Sequence, residues 1–151
     1  MPSNAIKDLA FNADHLKACK GYDPKFINGT VNVSASILSA EQKKLLPDVD
    51  GTDKKILNYS NFSVWYNTKR RVPFCSMSNI DGSQKNEKTK RANGFDIDPR
   101  IAANQQLNNA FYDLEKGFTE FEIGHMASND EMSWGATDDA AQLSAYESFH
   151  F

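Results

Sequence analysis

The chain lacks any apolar run that approaches the length of a membrane span, so we expect no membrane partner. Its first ten residues also lack the basic start and apolar stretch of a secretory signal, and a cytoplasmic location is therefore favoured. Cysteine is scarce. Cys19 and Cys75 cannot form a metal cluster by themselves, and nothing in the sequence supports a disulfide between them. Cys75 lies in an apolar, strand-like run and is predicted to be a buried thiol.

A positive net charge is also lacking. The formal charge is −3, so no overall field attracts a polyanion, and any nucleic-acid binding must use local basic patches or a metal ion. The composition is otherwise ordinary for a soluble globular protein, with 40% hydrophobic and 25% charged residues. We expect residues 1–151 to form a single domain, which is large enough to bury a sizeable core.

Hydrophobic periodicity predicts several short elements. Residues 1–20 show an imperfect 3.6-residue period, which predicts one short amphipathic helix. Val31 and Val33 alternate with polar residues and predict a strand. Residues 39–42 are typical of the start of a short helix, and residues 139–146 favour a helical turn.

The clearest predicted element is a hairpin. Residues 62–67 alternate in polarity, residues 67–71 form a basic turn, and residues 72–80 return as a largely apolar strand that is predicted to be central. Residues 83–93 are polar and basic and predict a mobile loop. Ser148-Phe149-His150-Phe151 is typical of a further strand at its beginning. Together the elements predict an α+β fold with an antiparallel sheet.

A Gly-His pair, Gly124-His125, follows an apolar run and precedes a polar loop. This arrangement can place an imidazole at a strand end, facing an open site, but a lone histidine beside glycine is more often structural than catalytic. The neighbouring sequence favours catalysis, because further motifs occur in order along the chain. These motifs are Leu57-Asn58-Tyr59-Ser60-Asn61-Phe62-Ser63-Val64, Lys69-Arg70-Arg71, Asn79-Ile80-Asp81-Gly82, Gly124-His125, Asp130, Trp134-Gly135 and Ser148-Phe149-His150-Phe151.

The ordered set resembles the DNA/RNA non-specific endonuclease family, which includes Serratia nuclease and endonuclease G. The resemblance extends from about residue 21 to residue 151. It implies a ββα-metal fold, with His125 as a general base that takes a proton from water while the water attacks phosphorus. It also implies that Mg²⁺ or another divalent cation is bound at the scissile phosphate.

The family signature Asp-Arg-Gly-His stands here as Glu122-Ile123-Gly124-His125. The resemblance implies that Glu122, Gly124 and the later Asp130 support the motif. Ile123 is a departure, because isoleucine cannot contact a phosphate as the family's arginine does.

Phosphate contacts must therefore come from elsewhere. Residues 117–151 contain seven carboxylates and no Lys or Arg. The resemblance implies that Arg91 binds phosphate, since related nucleases carry such an arginine shortly before an aromatic-x-x-Asp-Pro run, here residues 95–99. Arg100 is the second candidate.

The expected metal ligand is a second departure. In the family this ligand is an Asn on a helix that follows the strand predicted to begin at Ser148. No residue up to Phe151 matches that position, so we expect this chain alone to be inactive. Three explanations stay open: an artificially shortened chain, a fragment that pairs with a complementary C-terminal piece of the same protein, or a natural partial domain.

The expected function is Mg²⁺-dependent, sequence-non-specific hydrolysis of phosphodiester bonds in DNA, RNA or both. The alternative is a catalytically degenerate nuclease-like module that binds nucleic acid or a protein partner. Ile123 and the acidic surroundings of the motif favour this alternative.

Overall fold

The structure is a computed structural model that describes residues 4–49, 55–92, 94–112 and 123–150. In these ranges helices and strands combine in an α+β arrangement, as predicted. No helix in the described ranges has the length and apolar character needed to cross a membrane. The helices are α1 (Asn4–Ala10), α2 (Ala13–Ala18), α3 (Ala40–Lys43) and α4 (Asp138–Glu147), and the strands are β1 (Leu57–Asn58), β2 (Phe62–Asn67) and β3 (Val72–Ser78), with 3-10 turns at Ala35–Ile37, Gly82–Gln84 and Ala103–Gln105.

The strands form an antiparallel sheet in the order β1-β2-β3. The predicted hairpin is confirmed as β2 and β3, with Phe62 opposite Ser78 and Asn67 opposite Val72. The prediction that its second strand is central was wrong, because β2 lies between the other two. All of β2 is buried, whereas most of β3 is partly or fully exposed. An edge position also suits Pro73, which has no N–H to donate to a neighbouring strand.

Hydrophobic packing covers both faces of β2. Successive side chains of a strand point to opposite faces. Phe62 and Val64 belong to one core cluster with Leu16 and Met132. Trp65 belongs to a second cluster that also contains Leu38, Leu46 and Met77. The central strand is therefore buried along its whole length, its polar residues Ser63 and Asn67 included, because it is enclosed on both sides.

Polar caps determine where the helices begin. The Ser39 hydroxyl accepts from the Gln42 N–H, and the Gln42 side chain accepts from the Ser39 N–H, so α3 starts where the sequence predicts. Thr137 accepts from the Ala140 N–H at 3.1 Å and begins α4. Asp138 lies in the first turn of α4, where its charge complements the helix dipole. These bonds extend α4 beyond the single turn predicted.

The strand predicted to begin at Ser148 was wrong. Ser148 and Phe149 form a turn directly after α4, and the Phe149 N–H donates to the Tyr146 carbonyl at 3.0 Å. His150 follows with an isolated β-bridge to Asp96. The helix thus ends in a tight turn that keeps these residues against the core.

Two N-terminal predictions also need correction. The described part of this segment, residues 4–20, contains two helices, because the Asn12 side chain accepts from the His15 N–H at 3.0 Å and caps the start of α2. Val31 and Val33 form no strand. Instead, the Val31 N–H donates to the Pro24 carbonyl at 2.8 Å across a turn-rich segment.

Both cysteines are free thiols. Cys75 was predicted to be buried but is only partly so, because it lies in the edge strand β3. Cys19 caps the end of α2 and is also partly buried. No Cys19–Cys75 disulfide is formed.

Candidate active site around His125

A polar pocket of about 410 Å³ opens between residues 86–91 and the segment that follows His125. It brings together a guanidinium, an imidazole and a carboxylate, which are groups that can bind an anion and move a proton. Its lining residues are Asn86, Glu87, Thr89, Arg91, His125, Ser128, Asn129, Asp130 and Ser133.

Residues 83–93, some of which line one side of this pocket, were predicted to form a mobile loop. Backbone contacts instead hold the described part of this segment in several places. Lys85 forms a β-bridge with Trp134, and the Asn86 N–H donates to the Ser133 carbonyl at 2.8 Å. Further along, the Lys90 N–H donates to the Gln142 side-chain oxygen, and the Gln142 amide donates back to the Lys90 carbonyl, both at 2.8 Å. These bonds fix the backbone on which Arg91 stands.

The imidazole of His125 is oriented by the backbone that follows α4. Its Nδ1 lies 3.1 Å from the Ser148 carbonyl oxygen. Because a carbonyl oxygen only accepts hydrogen bonds, Nδ1 carries the proton in this contact. In the neutral ring Nε2 therefore bears the lone pair, and this nitrogen lies 3.2 Å from the Arg91 guanidinium.

Aromatic neighbours and partial burial keep the His125 ring neutral. The Phe149 ring meets it edge-on with centroids 4.5 Å apart, and the Phe95 ring packs on it at 4.8 Å. Desolvation lowers the pKa of His125 below its usual value, and the charge of Arg91 lowers it further, against the opposing hydrogen bond to Ser148. The ring is therefore unprotonated at neutral pH and able to accept a proton at Nε2.

Asp130 lies on the pocket wall, and its charge is offset by a lysine. The Lys85 ammonium lies 2.9 Å from Asp130 Oδ2 and 3.6 Å from Glu87 Oε1. The hydrogen bond to Asp130 raises the pKa of Lys85, so the lysine stays charged. This pairing weakens the electrostatic repulsion that the carboxylates of Asp130 and Glu87 would exert on a phosphate.

Arg100, the second phosphate-binding candidate, lies in the core instead of the pocket. Its guanidinium is 2.7 Å from Asp98 Oδ2, and it donates to the carbonyls of Leu16 and Asn58 at 3.0 and 2.7 Å. The residue is 4% exposed. The structure therefore brings Arg91, but not Arg100, to His125.

A model of the DNA/RNA non-specific endonuclease family matches residues 44–146. The chain belongs to this family. The matched part contains the hairpin and the pocket residues Arg91, His125 and Asp130, so the family assignment and the local geometry concern the same part of the molecule. No curated protein and no solved structure matches the chain.

The DNA/RNA non-specific endonucleases are typically metal-dependent, so the pocket's ability to hold Mg²⁺ matters. This ion prefers several oxygen ligands in octahedral geometry. Among the described lining residues, the carboxylates of Asp130 and Glu87 both lie beside the Lys85 ammonium. The described lining therefore does not fit a ready Mg²⁺ cage, and we assign no catalytic step to the ion.

Sequence reasoning missed several groups that shape this pocket. The Ser148 carbonyl, which sets the tautomer of His125, acts through the backbone and leaves no side-chain signature. Phe149 was noted in a family motif but was placed on a strand, so its contact with His125 was not foreseen. Glu122 lies outside the described residues.

Two glycines near the site should respond differently to an added methyl group. At Gly124 a Cβ would meet none of the described atoms within 4 Å, so Gly124→Ala should change the unfolding free energy by about 0.5 kcal/mol or less. At Gly135 a Cβ would lie 2.9 Å from both Ala140 Cβ and the Ala141 nitrogen. Gly135→Ala should therefore cost roughly 1–3 kcal/mol. Urea unfolding of the two variants checks this order, and equal stabilities would contradict it.

Proposed function

We propose that the complete protein is an endonuclease that hydrolyses phosphodiester bonds of DNA, RNA or both without base-specific readout, with His125 as general base, and that residues 1–151 alone are inactive. The observation that supports this most is the orientation of His125. Its unprotonated Nε2 faces a polar pocket next to the one arginine among the described lining residues. Base and anion-binding group are thus adjacent, as the reaction requires.

The Arg91 guanidinium lies 3.2 Å from His125 Nε2, the nitrogen that has to act as the base. A bound phosphodiester offers the guanidinium two anionic oxygens, a stronger partner than a neutral imidazole. We propose that Arg91 then turns to the phosphate and leaves Nε2 to a water molecule.

The proton of the attacking water passes to Nε2 as the water oxygen bonds to phosphorus. The phosphorus–oxygen ester bond breaks, and the leaving oxygen takes the bonding electron pair and a proton from solvent water. The resulting imidazolium is stabilised by the hydrogen bond from Nδ1 to the Ser148 carbonyl, which favours the charged ring. Phe95 and Phe149 limit the rotation of the ring, so that the lone pair stays directed at the pocket.

Local basic side chains supply the affinity that the net charge of −3 does not. Lys88 and Lys90 are exposed on the same segment as Arg91. Contacts of this kind go to the sugar-phosphate backbone and do not distinguish bases. They support substrate binding without sequence specificity.

Each lysine that contacts a phosphate should contribute to the salt dependence of binding. Replacing Lys88 or Lys90 with alanine should weaken binding of duplex DNA equally for unrelated sequences. It should also reduce the slope of log K against log salt by about 1. Fluorescence anisotropy with two unrelated duplexes measures both effects. An unchanged slope would show that the lysine does not contact the backbone.

The proposed activity is tested on the complete protein, since residues 1–151 alone are expected to be inactive, with supercoiled plasmid DNA and single-stranded RNA as substrates. We expect cleavage in the presence of Mg²⁺, fragments without preferred end sequences, and loss of activity on addition of EDTA. Cleavage that persists in EDTA would contradict the metal dependence. Absence of cleavage with Mg²⁺, Mn²⁺ or Ca²⁺ would contradict the enzyme proposal.

The pH dependence follows from the environment of His125. The base acts in its neutral form, and the pKa of His125 lies below its usual value. The rate kcat/KM should therefore rise with pH, with the midpoint of its acid limb below about pH 6.5, the unperturbed histidine pKa. Arg91→Gln removes a nearby positive charge and should move the acid limb to higher pH, besides weakening binding. The test is to measure kcat/KM of the wild-type protein and of Arg91→Gln from acidic to neutral pH. An acid limb at the same pH in both proteins would contradict the proposed contact between Arg91 and His125.

One observation favours a second candidate function. Ile123 replaces the family's phosphate-binding arginine, and Arg91 is exposed and turned toward His125 instead of toward open solvent. A module that binds nucleic acid without cutting it would also have this arrangement. Binding with a steep salt dependence, together with no cleavage in any divalent cation, would support this candidate.

A further inference from the structure

A second cluster of metal-binding side chains lies outside the pocket described above. His15 Nε2 is 2.6 Å from Glu147 Oε1, and Cys19 Sγ is 3.6 Å from the same nitrogen and 3.8 Å from the same oxygen. All three residues lie outside the segment that matches the endonuclease family, residues 44–146. The cluster is therefore a feature of this chain that the family match does not cover.

The local fold brings the three groups together. His15 lies in α2. Cys19, four residues later, closes this helix with its N–H on the Leu16 carbonyl and its thiol 3.5 Å from the His15 carbonyl oxygen. Glu147 is the last residue of α4 and reaches them from the opposite end of the sequence. Two ligands at this helical spacing plus one carboxylate from elsewhere is an arrangement that proteins use for zinc.

The distances between the three ligand atoms fit a shared ion once the separation between His15 and Glu147 lengthens slightly. With Zn–S near ~2.3 Å and Zn–N or Zn–O near ~2.0 Å, ligand atoms on a tetrahedral ion lie roughly 3.3–3.6 Å apart. The two separations that involve Cys19 Sγ are already close to this spacing. The third, between His15 and Glu147, is a hydrogen bond that would open by less than about 1 Å once the ion replaced its proton.

The cluster is enclosed but accessible. The Glu147 side chain is fully buried, whereas 19% of the His15 side chain and part of Cys19 remain exposed. The Ser60 N–H and hydroxyl donate to the Glu147 carboxylate at 2.6 and 2.9 Å and fix its orientation, as second-shell groups do around a metal ligand. A water molecule can reach the exposed side and take a fourth position.

The same geometry argues against a nucleophilic cysteine. In a catalytic relay the thiol and the carboxylate contact opposite nitrogens of the imidazole. Here both face Nε2. Burial, followed by the charge of Glu147, raises the pKa of Cys19 to about 12, so the thiol is protonated and unreactive without a cation beside it.

We propose that His15, Cys19 and Glu147 form a site for a borderline-soft divalent cation of the Zn²⁺ class. One thiolate and one carboxylate balance its two positive charges, and the neutral imidazole completes a mixed sulfur, nitrogen and oxygen set. The ion binds α2 to the end of α4. Binding displaces the Cys19 proton, so affinity increases with pH. Mg²⁺, which prefers oxygen ligands, does not compete for this site.

The test uses Co²⁺ as a spectroscopic substitute for Zn²⁺ in the purified protein. About one Co²⁺ per chain should produce a sulfur-to-cobalt charge-transfer band and the d–d bands of a tetrahedral ion. Zn²⁺ should abolish these bands, whereas excess Mg²⁺ should not. Zn²⁺ should also raise the unfolding temperature of the wild-type protein.

Cys75 provides the matched control. Cys19→Ser should abolish the charge-transfer band and weaken Zn²⁺ binding by more than about 100-fold, whereas Cys75→Ser should leave both unchanged. His15→Asn provides a second variant and should also lose tetrahedral binding; circular dichroism establishes that each variant is folded. A wild-type protein without a thiolate band, or equal loss in both cysteine variants, would overturn the proposal and leave a hydrogen-bonded ion pair.

Discussion

Replacing His125 with alanine is expected to reduce the rate of phosphodiester cleavage by about 10²- to 10⁴-fold, the range typical of a positioned general base. The variant loses the only group in the described pocket whose unprotonated nitrogen faces the substrate position. Its loss leaves Arg91 in place, so substrate binding should decrease much less than the rate. The measurement is kcat and KM on plasmid DNA with Mg²⁺ present.

His125→Gln is the matched variant, because its amide retains hydrogen bonding but cannot accept a proton at neutral pH. We expect it to be as slow as His125→Ala. Undiminished kcat in either folded variant would exclude His125 as the base. A large rise in KM with unchanged kcat would instead assign it to substrate binding.

Breaking the buried Arg100–Asp98 pair is expected to have the largest effect on stability. Burial opposes both charges, but the hydrogen bonds between the two residues outweigh it, lowering the pKa of Asp98 and raising that of Arg100. Arg100→Met leaves the Asp98 carboxylate buried and unpaired beside Tyr59. Loss of one partner from such a pair costs about 3–5 kcal/mol. Urea unfolding of the variant measures the cost.

A surface ion pair of similar length is the control. Lys44 lies 2.8 Å from Glu41, but both side chains are mostly exposed. Glu41→Gln should cost no more than about 0.5 kcal/mol. If Arg100→Met were no more costly than this control, the role of Arg100 as a core residue would be wrong, and a phosphate-binding role would have to be reconsidered.

Local sequence signals identified much of the site. Gly124, His125 and Asp130 were selected from the ordered motifs and Arg91 from the family resemblance, and the structure places Arg91, His125 and Asp130 around one pocket. The hairpin was also predictable, because alternating polarity and a basic turn are local properties of residues 62–80.

The remaining features depend on contacts between distant parts of the chain. Arg100 follows Asp98 by two residues, yet only the packing of Leu16 and Asn58 around it shows that the pair is buried. In the same way His15 has its partner in Glu147, 132 residues later. Periodicity within a segment carries no information about such pairs.

The error at residues 148–151 has a similar cause. The alternation of Phe and His favours a strand locally. Thr137 instead caps the start of α4, and Ser148, which directly follows this helix, lies with its carbonyl oxygen 3.1 Å from His125 Nδ1. The position of the Ser148 carbonyl is therefore set by the cap of α4, ten residues upstream of the helix end.

The central claim is that His125 supplies the base, and rescue by a free base tests it most directly. The measurement is cleavage of plasmid DNA by His125→Ala with increasing imidazole, at several pH values and with Mg²⁺ present. Imidazole that enters the vacated space should restore part of the lost rate in proportion to its neutral form, and should have no such effect on the wild-type protein. A wild-type rate in the variant without imidazole, or a restored rate that follows the imidazolium form, would contradict a general base at this position.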